Sequence, residues 1–368
     1  MKIENHTYKE PIIKSNLLEV VKTNRHEKLI FGHDKKSGLK IVLAIHDTTL
    51  GPSTGGTRMI EISEDRAIDE ALRLSYAMTF KNAIIDEPYG GSKAVVIGDP
   101  TKGKSKEFLH AIGEFIESLG GAFLTGVDMG LSLDDAKIIG EKTKYIFNSK
   151  GCSGVTTGHG VYKGIKECAK EFLSNENLDG LTIAVQGLGY VGGTLVELLT
   201  KHNVKIIGAD VDKEAANKYK KKYSIEIIDP DKIHQVKCDI FSPNAIGEII
   251  NDKSINELNC KIIAGGANNQ LKDEVKHSKI LFKKGIVHAP DFVINSGGVC
   301  HGMCEVRGED VRNALKKTDL IPGLLHQVFK ISKKQNVPPL LVAYQMAYDK
   351  IEKKKRENEK LSKQSKKN

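Results

Sequence analysis

The first 150 residues alternate short apolar runs with stretches in which apolar positions recur at helical spacing. The runs of strand length are 39–45, 94–98 and 122–125. Between Ser105 and Gly120 the apolar residues follow a helical period, which predicts a helix with a serine cap and a glycine end. Another helix is predicted to begin near Ser63, after a Gly-rich loop at 51–56. This alternation indicates an α/β domain over residues 1–150.

A stretch rich in Gly, Ser and Thr at 149–160 marks the predicted domain boundary. Beyond it, strands are predicted at 181–185, 205–209, 239–241, 261–264 and 285–288, and long helical patterns at 309–333 and 337–356. Strands separated by helices indicate a parallel sheet with right-handed crossovers. The predicted fold class is therefore α/β with two domains, and the second, over 151–333, has a doubly wound sheet.

Composition limits the class of protein. No apolar run approaches the roughly 18 residues of a membrane span, and the start of the chain lacks the apolar core of a signal peptide. Six scattered cysteines in 368 residues fit a reducing compartment better than a disulfide scaffold. We therefore expect a cytoplasmic protein that does not span a membrane.

Positive charge is concentrated at the C-terminus. The chain has 56 Lys and Arg against 47 Asp and Glu, a net charge of +9, and most of this excess lies in 353–368. We interpret 357–368 as a solvated, frayed basic tail. Binding of nucleic acid through the tail is disfavoured, because no aromatic residue lies between its lysines to stack on bases.

A glycine-rich turn follows the predicted strand at 181–185. It reads Gly187-Leu188-Gly189-Tyr190-Val191-Gly192, opens a predicted helix, and is followed by Asp210 at the end of the next strand. In this context the turn is typical of a dinucleotide site, whose phosphates lie on the helix N-terminus. An acid in the place of Asp210 binds a ribose 2′-hydroxyl and repels a 2′-phosphate, so NAD is predicted over NADP, with Lys213 nearby to weaken the repulsion. The alternative is a Gly-rich packing turn in another α/β protein.

Three charged residues occupy unusual places in the first domain. Lys81 lies on the apolar face of a predicted helix, Lys93 follows a Gly-Gly-Ser turn before a buried strand, and Asp128 follows another buried strand. Burial lowers the pKa of a lysine, which then serves as a general base near neutral pH. Each residue also has an ordinary interpretation: a lysine extending from a helix end, a surface lysine at a strand entry, and a turn or capping aspartate.

Seven motifs in order resemble the glutamate/leucine/phenylalanine/valine dehydrogenase family, in particular its leucine and phenylalanine branch. They are Gly55–Met59 (GGTRM), Met78–Asn82 (MTFKN), Gly90–Lys93 (GGSK), Thr125–Gly130 (TGVDMG), Gly187–Gly192, Ala264–Leu271 (AGGANNQL) and Ala289–Val299 (APDFVINSGGV). Several motifs in the family's order, with twelve positions separating the two lysines, are far more specific than any single one.

The resemblance implies a substrate domain at 1–150, a Rossmann-type NAD-binding domain at 151–333, and a C-terminal helix at 334–356 that returns to the first domain. The substrate is expected in the cleft between the two domains. It also implies a homo-oligomer and the reversible, NAD-dependent deamination of an amino acid to a 2-oxo acid and ammonia.

The resemblance further implies roles for single residues. Lys93 would activate water, Asp128 would handle protons on the substrate amine, and Lys81 would pair with the substrate carboxylate. The other residues implied at the substrate are Gly55, Gly56, Gly126 and Asn295. Those implied at the cofactor, besides the Gly-rich turn and Asp210, are Thr157 near the nicotinamide amide and Asn268.

The chain departs from the family pattern in two places. Glu87 stands where an apolar residue is usual, which puts the packing of its loop in question. In the segment 299–305, His301 replaces an Asn or Gln and Cys304 replaces an acid, so geometry on the cofactor side is expected to differ. Cys300, His301 and Cys304 lack a second ligand pair of suitable spacing, and no metal site is predicted.

The substrate class stays open between branched aliphatic and aromatic amino acids. Gly126 stands where the leucine enzymes tend to carry Ala, and Thr54 where a larger apolar residue is common; both changes favour a roomier pocket. Glutamate is disfavoured because neither position offers an extra cation. Two other functions remain as alternatives: an NAD-binding sensor or specialised biosynthetic relative with altered catalysis, and a nucleic-acid-associated protein that uses its basic tail.

Overall fold

The structure is a computed structural model that describes residues 17–147 and 153–365. The described residues form two compact units. The first unit contains 17–147 and 346–365, and the second unit contains 153–345. The predicted domain boundary after residue 150 lies outside the described residues.

The first unit is an α/β layer structure around a mixed five-stranded sheet. Its strands are β1 (Lys28–Asp34), β2 (Leu39–Asp47), β3 (Ser53–Ile60), β4 (Gly90–Ile97) and β5 (Phe123–Val127). Its helices are α1 (Leu17–Thr23), α2 (Glu64–Ile84), α3 (Lys106–Ser118) and α4 (Leu133–Gly140). The strand order is β1-β2-β4-β3-β5; β2 is antiparallel to β1 and β4, and β3 is parallel to β4 and β5.

Alternating side chains of β2 supply two cores, one on each face of this sheet. Leu39, Ile41, Leu43 and Ile45 pack with α3 and α4, whereas Val42 and Ala44 pack with α2. The side chains of Ser63 and Ser105 cap α2 and α3 as predicted, accepting hydrogen bonds from backbone N–H groups three residues on. Gly120 then follows α3 with a φ of 59°.

The predicted Gly-rich loop at 51–56 is wrong for its last four residues. Ser53 to Gly56 belong to β3 and pair with β4 and β5. A Cβ on Gly55 would overlap the carbonyl oxygen of Ser92 on the adjacent strand. Glycine is therefore required here by the close approach of two backbones and not by loop flexibility. The Gly-Gly-Ser turn predicted before Lys93 also belongs to a strand. β4 begins at Gly90, so Lys93 lies inside the strand.

The second unit has a six-stranded, all-parallel sheet. Its strands are β6 (Thr182–Gln186), β7 (Lys205–Ala209), β8 (Glu226–Ile227), β9 (Ile240–Pro243), β10 (Ile262–Ile263) and β11 (Val287–His288). They lie in the order β11-β10-β9-β6-β7-β8. Counted from β6, this is the Rossmann order 3-2-1-4-5-6 reversed, and the switch point falls between β6 and β9. The predicted doubly wound fold is confirmed.

Helices cover this sheet. They are α5 (Ser153–Leu173), α6 (Tyr190–Leu199), α7 (Lys213–Tyr223), α8 (Ser254–Glu257), α9 (Glu274–Lys283), α10 (Asp291–Ile294), α11 (Gly297–Val306), α12 (Val311–Lys317) and α13 (Leu320–Gln335), with a 3-10 helix at Pro230–Gln235. The Gly-rich stretch at 149–160, which marks the predicted domain boundary, is helical from Ser153. A Cβ on Gly158 would lie 2.7 Å from Thr194 Cβ, so the glycine lets α5 pack closely on α6.

The C-terminal helical patterns also differ from prediction. The stretch predicted as one helix at 309–333 is divided into α12 and α13, with Thr318 as the C-cap of the first and Asp319 as the N-cap of the second. The last helix, α14, runs over Pro339–Ser365, so residues 357–365, predicted as a frayed tail, are helical and exposed. Within the first unit, Lys350 Nζ of α14 donates to the carbonyl oxygen of Ile84 at 2.8 Å. None of the described helices is long and apolar enough to cross a membrane.

Candidate active site

A buried ion pair crosses β3 in the first unit. Lys93 lies in β4 and is 6% exposed; its Nζ donates to Oδ2 of Asp128, just after β5, at 2.5 Å. Because β3 lies between β4 and β5, the pair must pass over a residue of β3. That residue is Gly56, where a Cβ would lie 3.0 Å from Lys93 Nζ and 2.9 Å from Asp128 Cβ. The absence of a side chain at Gly56 therefore allows the two groups to meet.

The pKa values of both members of this pair are lowered, which favours the neutral form of Lys93 and the charged form of Asp128. Burial lowers the pKa of Lys93, and the nearby Arg58 cation lowers it further, against the opposing effect of Asp128. Burial alone would raise the pKa of Asp128, but the Lys93 and Arg58 cations hold it well below its usual range. The site thus holds a constant carboxylate beside an amine that loses its proton more readily than an ordinary lysine.

Arg58 is a member of this site to which the sequence assigned no role. It lies on β3 two residues after Gly56, on the same face of the strand, and its Nε donates to Asp128 Oδ2 at 2.9 Å. Its Nη1 also pairs with Glu70 on α2. The spacing of two residues between Gly56 and Arg58 could have placed Arg58 on the same face as Gly56. That inference requires that 53–60 is first recognised as a strand.

Lys81 is buried in the last turn of α2, with 8% of its surface exposed. The neighbouring residues fasten this turn to the start of β4. Asn82 Nδ2 donates to the carbonyl oxygen of Gly90 at 2.7 Å, and a Cβ on Gly91 would overlap the backbone nitrogen of Thr79. The structure therefore buries both lysines and packs the elements that carry them against each other.

The space beside Gly126 is filled. Gly126 pairs with Gly56 across β3 and β5, and a Cβ there would overlap the ring of Phe147. The missing methyl group does not leave a void, so the expectation that Gly126 enlarges a pocket does not hold while Phe147 keeps this position. Thr54 is buried in β3. Glu87 is 5% exposed, and its N–H donates to the carbonyl oxygen of Asn82 at 3.0 Å, so the loop packs with an acid at this position.

In the second unit the Gly-rich turn follows β6 at the switch point of the sheet. Gly187 has a φ of 83°, and a Cβ on Gly192 would overlap the Gly187 carbonyl oxygen. Gly189 has no atom near its missing side chain and stands at the N-cap of α6, where no side-chain hydrogen bond closes the helix end. The turn thus presents an open helix N-terminus, which fits a pyrophosphate.

Asp210, at the end of β7, holds this turn in place. Its Oδ2 accepts a hydrogen bond from the N–H of Leu188 at 2.6 Å, and its Oδ1 accepts one from the N–H of Asp212 at 2.8 Å. The carboxylate therefore fixes the Gly-rich turn as well as lying where a ribose is expected.

The other residues expected at the cofactor, Thr157 and Asn268, lie in the second unit, as does Asn295, which is expected at the substrate. Asn295 Nδ2 donates to Asn268 Oδ1 at 2.8 Å, and Asn295 Oδ1 is buried without a hydrogen-bond partner among the described residues. A Cβ on Gly298 would lie 3.0 Å from Thr157 Oγ1. A buried, unsatisfied amide oxygen is typical of a site that completes its hydrogen bonds with a ligand. The donor set and the open turn fit a dinucleotide.

The unusual segment 299–305 is part of α11. His301 is buried, its Nδ1 lies 3.1 Å from Thr156 Oγ1, and burial lowers its pKa. Among the described residues, the side chains close enough together to hold a metal ion are Glu167, Glu171 and His326, on α5 and α13. Glu171 there also pairs with Lys333 at 3.1 Å. Cys300, His301 and Cys304 do not belong to this group.

Sequence profiles of two domains match the chain. The profile described as Glu/Leu/Phe/Val dehydrogenase, dimerisation domain, matches residues 26–145, and that described as Glutamate/Leucine/Phenylalanine/Valine dehydrogenase matches 210–358. The leucine dehydrogenase of Thermoactinomyces intermedius is 44% identical over 89% of this chain and 91% of its own length. The phenylalanine dehydrogenase of Lysinibacillus sphaericus is 41% identical over 84% of each.

Among solved structures, the L-tryptophan dehydrogenase of Nostoc punctiforme superimposes with a TM-score of 0.79 at 40% identity, covering 92% of this chain and all of the other. The similarity thus extends through both compact units and agrees with the motif order. The chain belongs to the glutamate/leucine/phenylalanine/valine dehydrogenase family and is an amino acid dehydrogenase.

Proposed function

We propose that this protein catalyses the NAD-dependent oxidative deamination of an apolar L-amino acid to a 2-oxo acid, ammonia and NADH, reversibly. The observation that carries the proposal is the buried contact of Lys93 Nζ with Asp128 Oδ2 beside Gly56. A lysine with a lowered pKa next to a permanent carboxylate is suited to take a proton from water and pass it on.

The residues of the first unit divide the work. Lys93 removes a proton from a water molecule, which attacks the iminium carbon of the oxidised substrate. Asp128 accepts and returns protons at the substrate nitrogen, so that ammonia leaves. Lys81 binds the substrate carboxylate. Anchoring and proton transfer are then done by different side chains held on α2, β4 and the end of β5.

NAD supplies the hydride acceptor when it is bound. Gly187, Gly189 and Gly192 would hold its pyrophosphate on the N-terminus of α6, and Asp210 its adenosine ribose. Thr157, Asn268 and Asn295 would lie near its nicotinamide. The charge of Asp210 supports NAD over NADP, because it repels a 2′-phosphate.

The substrate class is an amino acid with an apolar side chain. Relatives named for leucine, phenylalanine and tryptophan have similar identities of 41–44%. None of the three is preferred by identity alone. Arg58 and Lys93 are already paired with acids, and Lys81 is assigned to the substrate's main carboxylate, so these residues do not favour a second carboxylate on the substrate.

An amino acid panel monitored at the NADH absorbance tests the proposal. Leucine, isoleucine, valine, phenylalanine, tryptophan and glutamate are each supplied with NAD. We expect NADH formation with at least one apolar amino acid and none with glutamate. Binding of NAD without turnover of any amino acid in the panel would favour an NAD-binding sensor with altered catalysis. Salt-dependent nucleic acid binding that is lost on deleting 353–368 would favour a nucleic-acid-associated protein.

We also infer a homo-oligomer. The profile that matches residues 26–145 is described as a dimerisation domain, and this segment forms most of the first unit. Light scattering behind a sizing column should give a mass of at least twice 40.4 kDa. A monomer at micromolar concentration would contradict this inference.

A further inference from the structure

The Arg58–Glu70 bridge connects the ion pair of Lys93 and Asp128 to helix α2. Arg58 Nε donates to Asp128 Oδ2 at 2.9 Å, and its Nη1 pairs with Glu70 Oε1. Arg73 Nη2 reaches the other oxygen of Glu70 at 2.6 Å. The side chains of Arg58 and Glu70 are only 14% and 16% exposed. One planar guanidinium thus joins a strand, a helix and the carboxylate at the end of β5.

We infer that Arg58, held by Glu70, is a positioning residue that fixes the Asp128 carboxylate for proton transfer and sets the pH at which Lys93 becomes a base. This inference rests on the proposed function for its role in turnover, but its electrostatic half can be measured without turnover.

Geometry supports the first part of the inference, that Arg58 positions the Asp128 carboxylate. Lys93 Nζ and Arg58 Nε both donate to Oδ2 of Asp128, so one carboxylate oxygen carries two charged donors and Oδ1 takes no part in either bond. A guanidinium presents its donors in a rigid fork and so reaches two acids at a fixed angle. A lysine in its place keeps the charge, but its ammonium has no such fork.

The charges around Lys93 support the second part of the inference, that Arg58 sets the pH at which Lys93 loses its proton. Four charged groups act on this region: Asp128 after β5, Arg58 on β3, and Glu70 and Arg73 on α2. The Arg58 cation lowers the pKa of Lys93, whereas the Asp128 and Glu70 anions raise it. Arg73 acts through Glu70, whose pKa it lowers together with Arg58 against the effect of burial. Removing Arg58 or Glu70 should therefore move the titration of Lys93 in opposite directions.

The first measurement is the pH profile of kcat/KM for deamination in four variants. Arg58→Met should move the acidic limb to higher pH and reduce the neutral-pH value by about tenfold. Glu70→Gln should move the limb to lower pH. Arg58→Lys should return the acidic limb to its pH in the parent protein, because the charge is kept. Its kcat should stay reduced, and its KM for NAD should be unchanged. Arg66→Met, an exposed arginine of the same helix, serves as the control and should match the parent protein.

The second measurement needs no turnover. Competitive acetylation with acetic anhydride, read for each peptide by mass spectrometry, gives the pH at which Lys93 becomes reactive, with exposed Lys102 as the internal reference. The midpoint should rise in Arg58→Met and fall in Glu70→Gln. If the parent protein turned over no amino acid but showed these opposite shifts, the proposed function would fail while the electrostatic inference would stand.

Shifts in the same direction, or loss of activity without any shift, would show that Arg58 has a purely structural role and would overturn the inference. If Arg58→Met does not fold, Glu70→Gln decides by the direction of its shift. A full return of kcat in Arg58→Lys would overturn the positioning half, because charge alone would then suffice.

Discussion

In the proposed function, Lys93 is the general base of the first unit. Replacing it by alanine removes the base, so turnover should fall by about a thousandfold, within the usual range for loss of a general base. NAD affinity, measured by calorimetry, should be nearly unchanged, because the Gly-rich turn and Asp210 belong to the other unit. Lys102→Ala, an exposed lysine, is the matched control. Turnover in Lys93→Ala close to that of the parent would remove this residue from the mechanism.

Asp210 supports the Gly-rich turn, and the proposed function also assigns it the ribose of the cofactor; one substitution can separate these two roles. Asp210→Asn keeps an oxygen able to accept the Leu188 N–H and removes the charge that repels a 2′-phosphate. We expect the ratio of kcat/KM for NADP to that for NAD to rise at least tenfold. Asp210→Ala should also weaken binding of both cofactors, because the turn loses its support. An unchanged ratio in Asp210→Asn would contradict the assignment of the ribose contact.

Phe147 occupies the space that a side chain at Gly126 would need. Because Gly126 pairs with Gly56 beside Lys93, we expect Phe147→Ala to admit larger substrates. The ratio of kcat/KM for tryptophan or phenylalanine to that for leucine should rise by about tenfold. Adding Gly126→Ala to this variant should reverse part of the gain, since the new methyl group takes up the space. An unchanged ratio in Phe147→Ala would place the ring outside the substrate pocket.

At the scale of single residues, the sequence pattern identifies Lys93 and Asp128 as unusual but does not predict which side chains contact each other. Lys93 and Asp128 stand out because charged residues at a buried strand contradict the apolar pattern around them. Arg58 and Phe147 do not, since an arginine in an alternating stretch and a phenylalanine near a loop are ordinary. Their roles depend on which strands are neighbours, and β4 and β5 flank β3 only in the folded sheet.

Among the secondary-structure elements, glycines account for two of the differences between pattern and structure, at 51–56 and at 149–160. The pattern indicates a loop at 51–56 and a domain boundary at 149–160, because glycine is common where chains turn. Both stretches instead place glycines where another backbone or helix comes close. The parallel strands of the second unit were predictable, because continuous apolar runs between helices leave few other folds.

Helix α5 offers a test of this close packing. Gly158→Ala would push its new Cβ against Thr194 and against the Val191 carbonyl oxygen in the first turn of α6, so stability and NAD affinity should both fall. Gly323→Ala is the matched control: it lies in helix α13 with nothing within 4 Å of the added atom. The control should gain about 0.5–1 kcal/mol from helix propensity. Urea unfolding and NAD titration compare the two, and equal effects would contradict the packing argument.

For the whole molecule, buried histidines predict loss of stability in weak acid. Burial lowers the pKa of His26 and of His288 to about 4 from 6.5, and that of His46 well below 6.5. The folded state binds these protons less well than the unfolded state, so stability is complete above pH 6.5 and falls as the pH drops toward 4. His26 and His288 each contribute up to about 3 kcal/mol.

Urea unfolding at pH 7.5 and pH 5.0 measures this effect, because most carboxylates titrate below that window. The midpoint should be clearly lower at pH 5.0. His26→Gln should reduce the difference between the two pH values, whereas His33→Gln, at an exposed position, should leave it unchanged. Equal midpoints at both pH values in the parent protein would show that the buried histidines do not govern its acid sensitivity.

The glycines around the ion pair set limits on how this enzyme can evolve. At Gly55 an added methyl group meets main-chain atoms, which no compensating mutation can remove, whereas at Gly126 it meets only a ring. A saturation library at position 55 should therefore return glycine alone. One at positions 126 and 147 together should return many active combinations. Substrate preference can then drift between relatives while the proton chemistry stays fixed.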